Sequence, residues 1–203
     1  QRQMCIRDRY NHIPGDGREY VITDESALKL RSEDGRFIKD TDISMFINDL
    51  PNKKDTCCFS TEDASGSTSQ AAGIVEGIES GSHVFLLDED TSATNFMVRD
   101  EFMQKVIRRE KEPITPFLER ARNLYEKGGI STVLVAGSSG AFFHIADTII
   151  QMDNYCPVDI TSSTKELCKS YPLTESHIPP FHMPQSHRVM TKAAPSKTKS
   201  RNY

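Results

Sequence analysis

Three consecutive acids, Asp88, Glu89 and Asp90, close a short apolar run in the stretch HVFLLDEDTSATNF, residues 83–96. A buried strand over Val84 to Leu87 would carry those carboxylates at its tip. In an open α/β sheet, ligands gather at the carboxyl ends of the strands. The first acid, Asp88, suits Mg²⁺, directly or through water, because that hard cation prefers oxygen ligands beside substrate phosphates. The second, Glu89, can take a proton from an attacking water, a role that typically contributes about 10²- to 10⁴-fold in rate. Many strands also end in solvated acids, so this pattern alone leaves both readings open.

Upstream, SGSTSQ (residues 65–70) stands at the mouth of a helix pattern. Unpaired backbone N–H groups and small hydroxyls there form an anion site, and the helix dipole adds about 0.3–1 kcal/mol, up to about 2 when partly buried. Ser65 or Ser67 can equally be an N-cap, and the two roles are compatible.

The elements that must position these residues follow from periodicity. REYVITDESALKLRSEDGRFI alternates as two strands with a turn, and DISMFINDLP follows as a short helix or loop. STEDASGSTSQ reads as a loop leading into a helix whose Ala71, Ile74, Val75 and Ile78 share one face. After the strand at Val84 to Leu87, VRDEFMQKVIRRE and PITPFLERARNLYEK read as helices, the second opening on prolines and ending at Gly128-Gly129. STVLVAG is a second buried strand, SSGAFFHIAD a short helix and TIIQMD a third strand. This alternation predicts an α/β fold with a parallel sheet core flanked by helices. A helix at SSTKELCKS precedes a Pro-, Ser- and Lys-rich tail expected to be flexible.

Composition bounds the class. The 203 residues can bury a core, and no apolar run approaches the roughly 18 residues of a membrane span, so a soluble, intracellular, cytoplasmic protein with no membrane partner is expected. Five cysteines without a C-x-x-C pair fit free thiols in a reducing compartment. The net charge of −4 conceals an acidic body and a basic tail: from Ser176 onward there is no Asp or Glu, but five basic residues. Residues 1–9, QRQMCIRDR, have no helix or strand periodicity, resemble translated adapter sequence and are set aside as a non-native artefact.

The order of a Ser/Gly turn, a helix, a buried strand ending Asp-Glu and a small polar turn resembles an ABC-class ATPase domain, a P-loop NTPase of ABC type. ASGST (64–68) lies on the signature pattern L-S-G-G-Q: Ser65 and Gly66 match, whereas Ala64, Ser67 and Thr68 depart. Asp88 follows Ser65 by 23 positions, and LLDEDTSATN lies on L-L-D-E-P-T-S-A-L-D, with Asp90 replacing the proline and Asn95 the D-loop acid. The longer wording FSTEDASGSTSQAAGIVEG, LLDEDTSATNFMVRD, EKEPITPF and MDNY is similar to the family of predicted ATPases of the ABC class, over residues 10–159.

The resemblance implies that Asp88 is the Walker B carboxylate for Mg²⁺ and Glu89 the base for hydrolytic water. It implies that Ser65, Gly66, Ser67 and Thr68 meet the γ-phosphate of ATP bound to a second protomer in a head-to-tail homodimer, with Thr91 to Asn95 the D-loop at that seam. The switch histidine of the family falls on Gly137, with Ser138 and Ser139 beside it; a Ser138 hydroxyl can contact γ-phosphate but cannot titrate as an imidazole does. No G-x-x-x-x-G-K-[ST] loop occurs in the sequence, and without it ATP binding is not expected to be strong. Truncation ahead of residue 10 is the expected account, a loop-less pseudo-enzyme the other. The full-length protein is then expected to be a nucleotide switch rather than a transporter, while this fragment alone is inactive. Residues 160–203 add a helix and the basic tail, which carries an alternative reading as an RNA or other nucleic-acid contact regulated by ATP. His177, His182 and His187 lie five apart, but the prolines between them forbid a helix that would converge them on a metal.

Overall fold

The computed structural model describes residues 23–50, 53–100, 102, 106, 107, 112–173, 178–184 and 188. Its centre is a three-stranded parallel sheet ordered β1-β4-β5, in which β1 is Leu28–Leu30, β4 Val84–Asp88 and β5 Ser131–Val135. The apolar run VFLLD takes the middle place because a strand covered on both faces must be apolar throughout. Phe85 and Leu87 are fully buried, each contributing about 1.5–3 kcal/mol of transfer free energy. Leu30 pairs with Leu87, and Asp88 with Val135, so the carboxyl ends of all three strands share one edge.

Helix α1, Gly66–Glu79, packs on this sheet. Ser65 is its N-cap, as the Ser-rich turn predicts, accepting a hydrogen bond from the Thr68 amide at 3.4 Å. Ala71, Ile74 and Val75 are fully buried, as their shared face requires. Gly77 permits the close approach: a Cβ there would stand 2.8 Å from Phe85 and 2.9 Å from Leu28. Helix α1 also meets an antiparallel ribbon of β2 (Arg36–Thr41) and β3 (Phe59–Ala64), to which the Arg36–Glu76 ion pair ties it.

The two strands read with a turn between them are present as β1 and β2, in different sheets: β1 pairs in parallel with β4, because Leu28 and Leu30 need the apolar flank of that strand. The segment read as a loop before α1 contains β3, a polar strand that buries only Phe59 and Ala64 at its ends. Between the ribbon strands, the segment at 42–50 is irregular, as the loop reading allows. It drives Ile43, Phe46 and Ile47 into the core, with Phe46 against Phe96 at a ring separation of 5.0 Å.

After β4 come a 3₁₀ turn at Glu89–Thr91 and a short helix α2 (Thr94–Met97). Most of the expected helix at 98–110 lies outside the described residues; of its apolar stripe, Phe102 and Val106 are exposed. Helix α3, Phe117–Gly128, buries Phe117 and Leu124 and ends at Gly129. It also buries Arg120, whose guanidinium donates to the Met45 and Pro179 carbonyls, each at 2.9 Å.

Strand β5 is half open rather than buried, with Val133 about half exposed. A 3₁₀ turn follows at Gly140–His144. The expected third strand of the parallel sheet, β6 (Ile150–Asp153), instead forms an antiparallel hairpin with β7 (Cys156–Asp159), because a tight turn at Asn154-Tyr155 folds its neighbour straight back onto it. Helix α4, Thr161–Ser170, closes the series.

Residues 178–184 lie against the body. Phe181 stands over the Arg120 guanidinium, Met183 meets Gly128, and His182 Nε2 is 3.1 Å from Ser44 Oγ. Arg188 pairs with Glu79 and bonds the Lys39 carbonyl and Thr41 hydroxyl. The described cysteines, Cys57, Cys58, Cys156 and Cys168, are free.

Candidate active site

The shared edge of the sheet gathers three loops: the turn after β1, the acids after β4 and the Gly137–Ser139 turn after β5. Asp88 is 1 % exposed. Its Oδ1 accepts from the Asp90 amide at 3.2 Å, while its Oδ2 is buried without a hydrogen-bond partner among the described residues. Its carbonyl accepts from the Ser92 hydroxyl at 2.9 Å, so the acid and the small polar turn behind it are held as one piece.

Glu89 reaches across to β5. Its Oε2 accepts from the backbone amides of Gly137 at 2.7 Å, Ser138 at 2.9 Å and Ser139 at 3.3 Å, and its Oε1 from the Ser138 hydroxyl at 2.7 Å. Burial pushes the Glu89 carboxyl up, but the donors of Ser138, Gly137 and Ser139 outweigh it and hold the group below its ordinary range. Asp90, in the place of a turn proline, is exposed.

The start of α1 meets the turn after β4. Ser65 is exposed and Gly66 half-buried, whereas Ser67 and Thr68 are buried. A Cβ on Gly66 would stand 2.3 Å from Ser32 Oγ and 3.5 Å from the Ala93 Cβ, so the start of α1 is pressed on both neighbouring loops. Asn95 is exposed on α2.

One positioning residue escaped the sequence reading. Gln70 is fully buried; its Nε2 donates to Ser92 Oγ at 2.9 Å and its Oε1 accepts from the Ala93 amide at 2.9 Å. It ties α1 to the turn that carries Asp88. The signal was present, because Gln70 stands four residues before Ile74, on the apolar side of the helix. His144 and Gly137 are not brought together: His144 ends the following 3₁₀ turn, and a side chain at Gly137 would meet nothing within 4 Å.

Comparisons with known proteins bear on the family of the chain. A family model described as the P-loop domain of ABC_ATPase matches residues 5–189, beginning inside the stretch set aside above. The chain is 30 % identical over 175 residues to "Uncharacterized protein MJ1628" of Methanocaldococcus jannaschii. That alignment covers 83 % of this chain and 37 % of the relative, so the chain spans well under half of that protein's length. With its three-stranded parallel sheet flanked by helices and its match over most of its length, the chain belongs to the ABC_ATPase family of P-loop domains.

Proposed function

We propose that this chain supplies the Walker B acid, the general base and the signature segment of an ABC-class ATPase, which hydrolyses ATP at a head-to-tail dimer seam and works as a nucleotide switch. The observation that carries this reading is the pairing of two unlike acids at one strand end. Asp88 has an oxygen with no hydrogen-bond partner among the described residues, and Glu89 faces the amide-rich turn of the next strand.

The orphaned Asp88 oxygen fits Mg²⁺. A buried carboxylate oxygen without a donor is costly, and a hard cation satisfies it. Such an ion takes most of its ligands from water and substrate phosphates. When bound, Mg²⁺ supplies charge neutralisation at the phosphate oxygens. Asp88 would hold it, Glu89 would accept the proton of the attacking water, and Ser138 would present a hydroxyl to the terminal phosphate. Ser65 to Thr68 would face the nucleotide of a partner, with Ser65 and Asn95 the exposed members of that surface.

The nucleic-acid reading has less support. Of the five basic tail residues only Arg188 is described, and its guanidinium is committed to Glu79 and Glu76.

Glu89→Gln tests the proposal in the natural polypeptide that carries these residues. ATP binding by equilibrium dialysis should be retained, and hydrolysis should fall at least about tenfold, a floor under the general-base range. An unchanged hydrolysis rate would remove Glu89 from its role.

A further inference from the structure

Each carboxylate oxygen offers about two lone-pair positions. In Glu89 three consecutive backbone amides converge on Oε2 and one hydroxyl on Oε1. Oε2 is fully engaged, and Oε1 keeps a single acceptor position. Its neighbour Asp88 is the opposite, with one oxygen bonded by no described group.

The donors come from one short turn that no helix interrupts, Gly137 to Ser139, between β5 and the next 3₁₀ turn. Successive N–H groups aimed at one point form an anion nest. Such a nest does not distinguish a carboxylate oxygen from a phosphate oxygen by chemistry, only by which is present and how much charge it carries.

We propose that the Gly137–Ser139 turn is a latch on Glu89, with Ser138 as its positioning residue, and that the latch releases the carboxylate in exchange for a terminal phosphoryl oxygen of the nucleotide. While the turn holds it, the carboxylate keeps one open acceptor position; once the turn engages phosphate, Glu89 regains the others beside the water it must activate. Hydrolysis is thereby coupled to occupancy, without a titrating side chain at position 137. This inference rests on the ATPase reading for its ligand but not for the latch itself.

The latch is read without activity, by amide hydrogen exchange of the nucleotide-free protein. Glu89→Ala should speed exchange at the amides of residues 137–139 by about tenfold or more, the loss expected for hydrogen bonds to a charged acceptor. Glu89→Gln, which keeps the shape of the side chain, should give a smaller acceleration at the same amides. Unchanged exchange at 137–139 in both variants overturns the latch.

In the same assay Ser138→Ala removes one of the four bonds and should speed exchange at residues 137–139 by about three- to tenfold, with Ser138→Thr restoring the wild-type value. The exchange with phosphate is read in Glu89→Ala: saturating ATP should return protection to these amides, because the same donors then hold phosphate. Bound ATP with no return of protection overturns the exchange. Wild-type protein without any ATP hydrolysis overturns the ATPase reading and with it the exchange, while amide exchange still decides the latch.

Discussion

Ser65→Asp separates a structural role of the Ser65–Thr68 turn from the proposed phosphate-facing one. Ser65 caps α1 from an exposed position, its hydroxyl 3.4 Å from the Thr68 amide and 2.9 Å from Thr68 Oγ1. Asp caps helices about as well as Ser, and a negative charge at a helix N-terminus is worth roughly 0.3–1 kcal/mol in favour of the fold. The variant should therefore melt within a few degrees of wild type. Its effect on a partner's nucleotide should be large. Two like charges about 4 Å apart near a protein surface repel by about 4 kcal/mol, close to a thousandfold in the dimer constant. Gly66→Asp is a poorer probe, because a Cβ there already stands 2.3 Å from Ser32 Oγ and would disturb packing in the monomer. The assay is sedimentation equilibrium with ATP in the Glu89→Gln background, which keeps the nucleotide intact. Normal ATP-dependent dimers of Ser65→Asp, with melting unchanged, would refute the placement of Ser65 to Thr68 against phosphate.

Three further outcomes are expected. Gly77→Ala should destabilise the fold by about 1–3 kcal/mol, because its methyl would press on Phe85 and Leu28 under 3 Å away; a denaturant midpoint at the wild-type value would contradict that contact. Arg120→Leu should leave the Met45 and Pro179 carbonyls short of a donor, at about 1–3 kcal/mol, and should make residues 178–184 cleave faster in limited proteolysis. Glu89 has a folded-state pKa below its ordinary value of 4.5, so its stabilising effect is present above that value and lost as pH falls through the lower, folded one. The stability gap between wild type and Glu89→Gln should accordingly be full at neutral pH and shrink in acid below 4.5, which denaturant titrations across that range measure.

What could be read from residue order is what depends on near neighbours. Helix α1 was legible because its cap, Ser65, and its stripe, Ala71, Ile74 and Val75, lie within three turns. Strand β4 was legible because a central parallel strand is apolar on both faces, and its acids mark where burial ends. The misplaced strands are those whose partner, near or far, the residue pattern does not name. Leu28 and Leu30 pair with residues more than fifty positions later, although Gly35 offers a nearby turn that a hairpin would use. Phe59–Ala64 is polar at its centre, because a strand of a two-stranded ribbon needs only a few inward residues. Ile150–Asp153 is apolar enough for a core strand, but its residues are exposed in a separate hairpin.

The same division runs through the site. Asp88 and Glu89 were legible as a pair, yet residue order could not assign them different hydrogen-bond partners. That difference comes from chain 48 to 50 positions further on, where the backbone amides of Gly137, Ser138 and Ser139 and the Ser138 hydroxyl meet Glu89. Backbone N–H groups are present at every residue but proline, so no residue type announces a nest made of them. Only the parallel pairing of β4 with β5, which sets Asp88 opposite Val135, brings that turn over Glu89. A substitution that shifted this register by a single residue would leave every motif intact in the sequence and still part the carboxylate from its donors.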